Sequence, residues 1–129
     1  MQVNRRVFTQ LLAVLGLVPA DAVMAQGKTV DVTMQNDSMP MFDPASVQIS
    51  AGDTVRWTNK GVLVHTATFT PAQAIKAGDV VLPAGVAPFG SEDLNQDDTY
   101  SHTFTAKGTY KYVCKYHEEM GMVGTVIVS

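Results

Sequence analysis

The sequence predicts an all-β fold, because short segments of alternating apolar and polar residues recur along it. These segments are rich in β-branched and aromatic residues, which favour strands. Turn-forming residues separate several of them, at positions 51–53, 59–61 and 106–108. Short strands with turns at this rhythm are typical of an antiparallel sandwich or barrel.

The alternating segments account for most of the predicted strands. They are residues 29–34, 46–50, 54–58, 100–104, 109–113 and 124–128. One stretch breaks the pattern, residues 70–78, where Thr70 can cap a helix, Pro71 suits its first turn and Gly78 can end it. A short helix is therefore expected there, followed by a long connection over residues 79–98 that is rich in Pro, Gly and acidic residues.

Length and composition limit the class of protein. The 129 residues suit one domain, and 46% hydrophobic with 16% charged residues can build a core. The net charge of −3, with no basic stripe, makes nucleic acid an unsuitable partner. We expect a monomer.

The first 25 residues read as an export signal rather than as part of the fold. Arg5 and Arg6 precede Phe8, and an apolar run over residues 11–18 follows. This order resembles a twin-arginine signal, with an ordinary secretory signal as the alternative. An uncleaved membrane anchor is a further alternative, but the run is shorter than the roughly 20 residues that a spanning helix needs.

Small residues before position 26 place the expected cleavage after Ala25. The mature chain is then the domain of residues 26–129, with no stable membrane insertion after the signal is removed. Its expected location is the periplasm.

The single cysteine lies in the densest chemical motif of the chain. Cys114, His117 and Met122 have the spacing C-x2-H-x4-M and lie between two predicted strands, so one loop can direct all three side chains to one point. His65 follows the turn at 59–61, and turns at the same end of two packed sheets lie close together. The motif therefore predicts one site built from four side chains.

Two imidazoles, a thiolate and a thioether are the ligands of a blue-copper electron-transfer site. Thiolate and thioether suit Cu(I), and imidazole suits Cu(II), so a rigid site of this kind accepts both states. Metal ligation also explains the lone cysteine, because a metal-bound thiol is deprotonated and shielded. The predicted cofactor is one copper ion.

The chain resembles a cupredoxin of the plastocyanin–pseudoazurin type over most of residues 29–129. The matching motifs are Phe42-x-Pro44, residues 52–59, His65-Thr66, the run from Phe104 to Cys114 and the run from Cys114 to Val126. The resemblance implies an eight-strand Greek-key β-sandwich that holds one type 1 copper and transfers single electrons between larger redox proteins.

The chain departs from the family pattern at two positions. Tyr116 stands where the family often has Pro before the C-terminal histidine. Thr66 stands where the family often has an Asn whose side chain ties the two ligand loops together. Thr66 can still donate its backbone N–H toward the cysteine sulfur.

Other residues of the ligand types have competing interpretations. Met120 is an alternative axial ligand, but the Met-x-Gly-x-Val step into the last strand favours Met122 and leaves Met120 on the surface near His117. His102 is expected on the same face of its strand as Tyr100 and Phe104, and it is interpreted as structural. A loop or edge role is favoured over soft-metal binding for the Met39-Pro40-Met41 run.

By analogy with relatives, His117 should reach the surface inside an apolar docking patch. The candidates for the patch are Val62, Leu63, Val64 and Met120. Glu118 and Glu119 are expected to make its rim acidic, which predicts a positively charged redox partner such as a c-type cytochrome. The acids of the long connection are interpreted as a solvated loop, with partner docking as the alternative. These are Glu92, Asp93, Asp97 and Asp98.

The competing functions share the ligands but not the chemistry. A periplasmic copper carrier or buffer could use the same four side chains. A copper enzyme needs further histidine-rich sites, which three histidines with no H-x-H pair do not supply, so no enzymatic activity is expected. A zinc site is disfavoured because thioether is a poor zinc ligand.

Overall fold

The computed structural model describes residues 27–35 and 37–129, which form nine strands and two short 3-10 turns. The strands are β1 Thr29–Gln35, β2 Met41–Asp43, β3 Ser46–Ile49, β4 Thr54–Asn59, β5 Thr68–Phe69, β6 Phe89–Gly90, β7 Thr99–Thr103, β8 Gly108–Val113 and β9 Val123–Val128. The turns are Pro71–Gln73 and Glu118–Met120. The predicted export signal, residues 1–25, lies outside the described residues. No helix in the described part of the chain is long and apolar enough to span a bilayer.

The strands form two sheets, in the orders β2-β1-β4-β7 and β3-β9-β8-β5-β6. The predicted all-β Greek-key sandwich is confirmed, with nine strands in the described residues where the resemblance implies eight. The expectation of an antiparallel arrangement is wrong at two strand pairs, because β1 pairs with β4, and β3 with β9, in parallel. A parallel pair needs a crossover connection, and the chain supplies one between β1 and β4 by placing β3 in the opposite sheet.

The core lies between the sheets, and its largest side chains are aromatic. Trp57, on β4, is fully buried, and its indole N–H donates to the hydroxyl of Tyr112, on β8, at 3.0 Å. The Tyr112 ring stacks on Phe69 with the ring centres 4.6 Å apart. Since a buried indole N–H needs a partner, this bond joins the two sheets close to the strand end that Cys114 follows.

The predicted helix over residues 70–78 is a single 3-10 turn, Pro71–Gln73. Thr70 makes no side-chain cap, and the backbone N–H of Ala74 closes the turn on Pro71 O at 3.1 Å. A continuing helix would turn the next two N–H groups back onto residues 71 and 72. The carboxylate of Glu118 accepts both of them instead, so the helix does not extend.

Candidate metal centre

The four predicted ligand residues come from two connections of the sandwich, β4–β5 and β8–β9. His65 lies between β4 and β5, Cys114 directly follows β8, and His117 and Met122 lie before β9. The ligand atoms of His65, Cys114 and His117 all lie within 4.8 Å of one another. The predicted convergence of these three residues is therefore present in the structure.

The distances inside this cluster fit one small metal ion. The Cys114 sulfur lies 3.7 Å from Nδ1 of His65 and 3.5 Å from Nδ1 of His117. Bonds of about 2.0–2.3 Å to a common ion, about 120° apart, would place a sulfur and a nitrogen roughly 3.7 Å apart. Two imidazole nitrogens and a sulfur at this separation match the trigonal part of a blue-copper site.

His65 is held by its backbone, and its burial favours the neutral imidazole. Its N–H and C=O pair with Leu94 at 3.1 and 2.8 Å, in an isolated bridge to the long connection. Burial, and then the neighbouring His117, lowers the pKa of His65 below its ordinary value. Its Nε2 is buried and meets no hydrogen-bond partner within residues 27–35 and 37–129. A neutral imidazole is the form that binds a metal.

Cys114 is fully buried and is fixed from two directions. Its backbone N–H donates to Met122 O at 3.0 Å, which closes the ligand loop at the strand ends. The backbone N–H of Thr66 points at the Cys114 sulfur from 3.4 Å, as the sequence predicts. These two backbone contacts hold in place the residue whose thiolate is the metal-binding form of cysteine.

The Thr66 hydroxyl ties the two ligand loops together, although the family often has Asn at this position. Its oxygen accepts the backbone N–H of Lys115 at 3.0 Å and shares a hydrogen bond with the Thr68 hydroxyl at 2.8 Å. Thr66, which follows His65, is thus bonded to Lys115, which follows Cys114. The shorter threonine side chain therefore links the two ligand loops where the family often has Asn.

Met122 and Met120 differ sharply in their surroundings. Met122 is fully buried, and its N–H donates to His117 O at 3.2 Å. Met120 is 53% exposed. Burial therefore favours Met122 as the thioether closest to the cluster, and the predicted surface position of Met120 is confirmed.

The third histidine, His102, is not part of the cluster of ligand atoms. His102 is half-buried and stacks on Phe89, with ring centres 3.8 Å apart and planes within 10°, as a structural residue would. Met39 and Met41 are exposed on the β2 side of the first sheet.

Asn59 has a structural role beside the site that the sequence pattern did not single out. Its side-chain amide is buried, donating to Leu63 O at 2.7 Å and to Leu94 O at 2.9 Å. Its side-chain oxygen accepts the N–H of Gly61 at 2.9 Å. These bonds fix the loop that leads into His65. The Asn-x-Gly order at the turn was the available signal, since Asn commonly bonds the backbone two residues on.

The predicted acidic rim is wrong in one residue. Glu119 is exposed, but Glu118 is buried, with both carboxylate oxygens bonded to backbone N–H groups. Burial alone would raise the pKa of Glu118, but donors from Ile75 and Lys76 and a hydrogen bond with Asp79 together lower it. A buried charge needs such partners, so Glu118 faces inward rather than a docking partner.

His117 opens onto a shallow surface depression. The lining residues are Leu63, Val64, Asp93, Tyr116 and His117. Val62 is 66% exposed nearby in the chain, and the Tyr116 hydroxyl donates to the Asp93 carboxylate at 2.8 Å. Of the apolar residues predicted to form the docking patch, Leu63 and Val64 border the partly exposed His117.

A Greek-key β-sandwich with two histidines and a cysteine clustered at the strand ends, and a buried methionine closing their loop, defines a cupredoxin. The donor set fits a single type 1 copper site. A family model described as copper binding proteins, plastocyanin/azurin family, matches residues 28–129. The chain therefore belongs to the plastocyanin/azurin family of copper-binding proteins.

Relatives of known name agree with this placement. The plastocyanin of Prochlorothrix hollandica is 30% identical over 123 residues, covering 95% of this chain and 89% of that protein. The chloroplastic plastocyanin of Tetradesmus obliquus is 37% identical over 95 residues, 68% of this chain and 58% of the relative's length. Among solved structures, a purple cupredoxin from Nitrosopumilus maritimus superposes with a TM-score of 0.60 at 28% identity, covering 78% of this chain and 99% of that one.

Proposed function

We propose that this protein is a type 1 copper electron carrier that shuttles single electrons between periplasmic redox partners, without enzymatic activity of its own. The proposed ligands are His65, Cys114, His117 and Met122. The observation that supports it most is the convergence of two Nδ1 atoms on one cysteine sulfur, at 3.7 and 3.5 Å. Copper, when bound there, supplies a one-electron Cu(I)/Cu(II) couple.

The chain's own residues make the site dry and stiff. His65, Cys114 and Met122 are fully buried, so these three side chains are shielded from water. Hydrogen bonds from Thr66 and within the ligand loop hold the donor atoms in place before any metal arrives. A preformed site needs little rearrangement between oxidation states, which suits electron transfer rather than metal delivery.

Redox cycling separates an electron carrier from a copper carrier. Copper-loaded protein is reduced and reoxidised repeatedly in the presence of a Cu(I) chelator, and copper content is measured after each cycle. We expect a reversible one-electron couple with copper retained. Loss of copper to the chelator on the first reduction would favour a carrier or buffer.

The docking surface is proposed to be the depression around His117. A weak redox encounter suits a small apolar patch with a charged rim. Glu119 and Asp93 supply negative charge beside it, while Lys115 lies 3.8 Å from Asp93 and offsets part of that charge. The net charge of −3 supports a positively charged partner such as a c-type cytochrome.

Stopped-flow reduction by a cationic c-type cytochrome tests this partner. The second-order rate should fall as ionic strength rises, because salt screens attraction between exposed charges. Glu119→Gln should lower the rate at low salt more than Asp43→Asn, which removes an exposed acid on β2. A second-order rate that does not change with ionic strength would contradict the proposal of a positively charged partner.

Residues 1–25 are proposed to be a twin-arginine export signal cut after Ala25. The supporting observation is the Arg5-Arg6 pair ahead of a short apolar run. N-terminal sequencing of the exported protein checks the cleavage point, and Arg5→Lys with Arg6→Lys should block export by the twin-arginine route. Unchanged export of that variant would indicate an ordinary secretory signal.

A further inference from the structure

Glu118 directly follows His117, the partly exposed residue among the proposed ligands, and occupies an unusual position for a charged residue. Its side chain is only 5% exposed, at the start of the turn Glu118–Met120. One carboxylate oxygen accepts the backbone N–H of Ile75 at 2.8 Å, and the other accepts that of Lys76 at 3.0 Å. Charge-assisted bonds of this kind are stronger than neutral ones.

The segment that receives Glu118 has little else to hold it. Residues 71–73 and 75–78 are exposed, including Ile75 at 60%, so the segment buries little apolar surface of its own. It leaves β5 at Phe69 and returns to the sandwich at Val81, which bridges to Lys111. Between these points, the Glu118 carboxylate joins the segment to the ligand loop.

A second side-chain tether lies on the other side of His117. The Tyr116 hydroxyl bonds the Asp93 carboxylate at 2.8 Å, so both neighbours of His117 are bonded to distant parts of the chain. The Tyr116 side chain is half-exposed, whereas the Glu118 side chain is buried and bonds two successive backbone N–H groups, one through each oxygen.

We propose that Glu118 is a positioning residue that fixes the backbone at His117 by clamping the amides of residues 75 and 76. Residues 70–79 thereby act as a brace for the one ligand that reaches the surface. This inference rests on the proposed copper site, but the clamp itself forms without metal. The brace sets the orientation of the His117 ring and hence the copper geometry.

The clamp is tested first in metal-free protein. Amide hydrogen exchange should show Ile75 and Lys76 protected in the wild type, although both residues are exposed. Glu118→Gln keeps the side-chain size but turns an amide group toward one of the two N–H donors, so both amides should exchange at least about tenfold faster. Glu119→Gln, the matched loss of charge one residue away, should leave them unchanged. Unprotected amides in the wild type would overturn the clamp whether or not any variant folds.

The positioning role is tested in copper-loaded protein. Glu118→Gln should shift the thiolate-to-copper absorption band and weaken copper binding against a chelator by about tenfold, the scale typical of groups that orient metal ligands. Glu119→Gln is the control for charge, because both variants lose one negative charge beside the site. A reduction potential of Glu118→Gln that differs from that of Glu119→Gln therefore reports the lost backbone bonds. Identical spectra, potentials and affinities for the two variants would overturn this inference alone. A wild type that shows no such band would overturn the proposed function together with it.

Discussion

The two methionines of the ligand loop illustrate how burial distinguishes identical side chains. Met122 is fully buried beside Cys114 and His117, whereas Met120 is half-exposed. A buried thioether in the loop of the other candidate ligands suits the weak axial position of a blue-copper site. The surface methionine is free to border the docking patch.

Replacing each methionine with leucine tests this distinction. Met122→Leu should raise the reduction potential by about 60 mV or more, a tenfold change for a one-electron couple, because an apolar group in place of the thioether disfavours the more highly charged Cu(II). Met120→Leu should leave the potential unchanged. Protein-film voltammetry measures both, and a shift confined to Met120→Leu would reverse the assignment.

His102 provides a pH-dependent contribution to stability. Burial against Phe89 lowers its pKa below the ordinary value, so the unfolded state binds a proton more readily than the folded state. The contribution is present above the unfolded pKa of about 6.5 and is lost as the pH falls through the folded pKa.

His102→Phe keeps the ring stack and removes the proton site. Urea unfolding of metal-free protein from pH 7.5 to pH 5 should show a smaller loss of unfolding free energy in the variant than in the wild type. His65, whose pKa is also lowered, contributes equally to both proteins. Parallel pH profiles would contradict the assignment.

Sequence alone identifies the candidate ligands, but not the residues that hold them. The C-x2-H-x4-M spacing is local, so the grouping of Cys114, His117 and Met122 can be recognised from the sequence. Glu118 reads as a surface charge, because nothing near it in sequence indicates the amides of residues 75 and 76, more than forty positions away. Its burial depends on a long-range contact that no local pattern encodes.

At the level of elements, the two ligand loops are joined by one hydroxyl. Thr66, at the approach to β5, accepts the N–H of Lys115 just after β8. An unsatisfied N–H in a partly buried position costs free energy. The loops are therefore coupled through a side chain that is not itself a predicted ligand.

Thr66→Val keeps the shape of this side chain and removes the acceptor. The free energy of unfolding of the metal-free protein should fall by about 1–3 kcal/mol, measured by chemical denaturation. Thr109→Val is the matched control, since Thr109 is exposed on β8, and it should change stability by less than about 0.5 kcal/mol. Equal effects of the two substitutions would show that the tie contributes nothing.

Strands with a clear period of two were predictable, and the shortest ones were not. β4 and β9 alternate in burial along their length, and their sequence patterns show it. β5 and β6 have two residues each, too few for any period, and they exist because they pair with each other and β5 with β8. The parallel pairing of β1 with β4 was equally hidden, since pairing direction depends on which sheet the intervening strand joins.

For the whole molecule, the sandwich fixes the site by bringing loop ends together. A bond between Trp57 and Tyr112 joins the sheets through the aromatic core, close to the strand end that Cys114 follows. The ligand-bearing connections therefore project from a rigid support. The family match over residues 28–129 covers this entire unit.

The visible absorption spectrum of oxidised, copper-loaded protein tests the copper site most directly. Cys114 is the single cysteine of the chain, so a thiolate-to-copper band has one possible source. We predict an intense band in the wild type and in His102→Phe, and its loss in Cys114→Ser. A colourless wild type, or a band that survives in Cys114→Ser, would contradict the assignment.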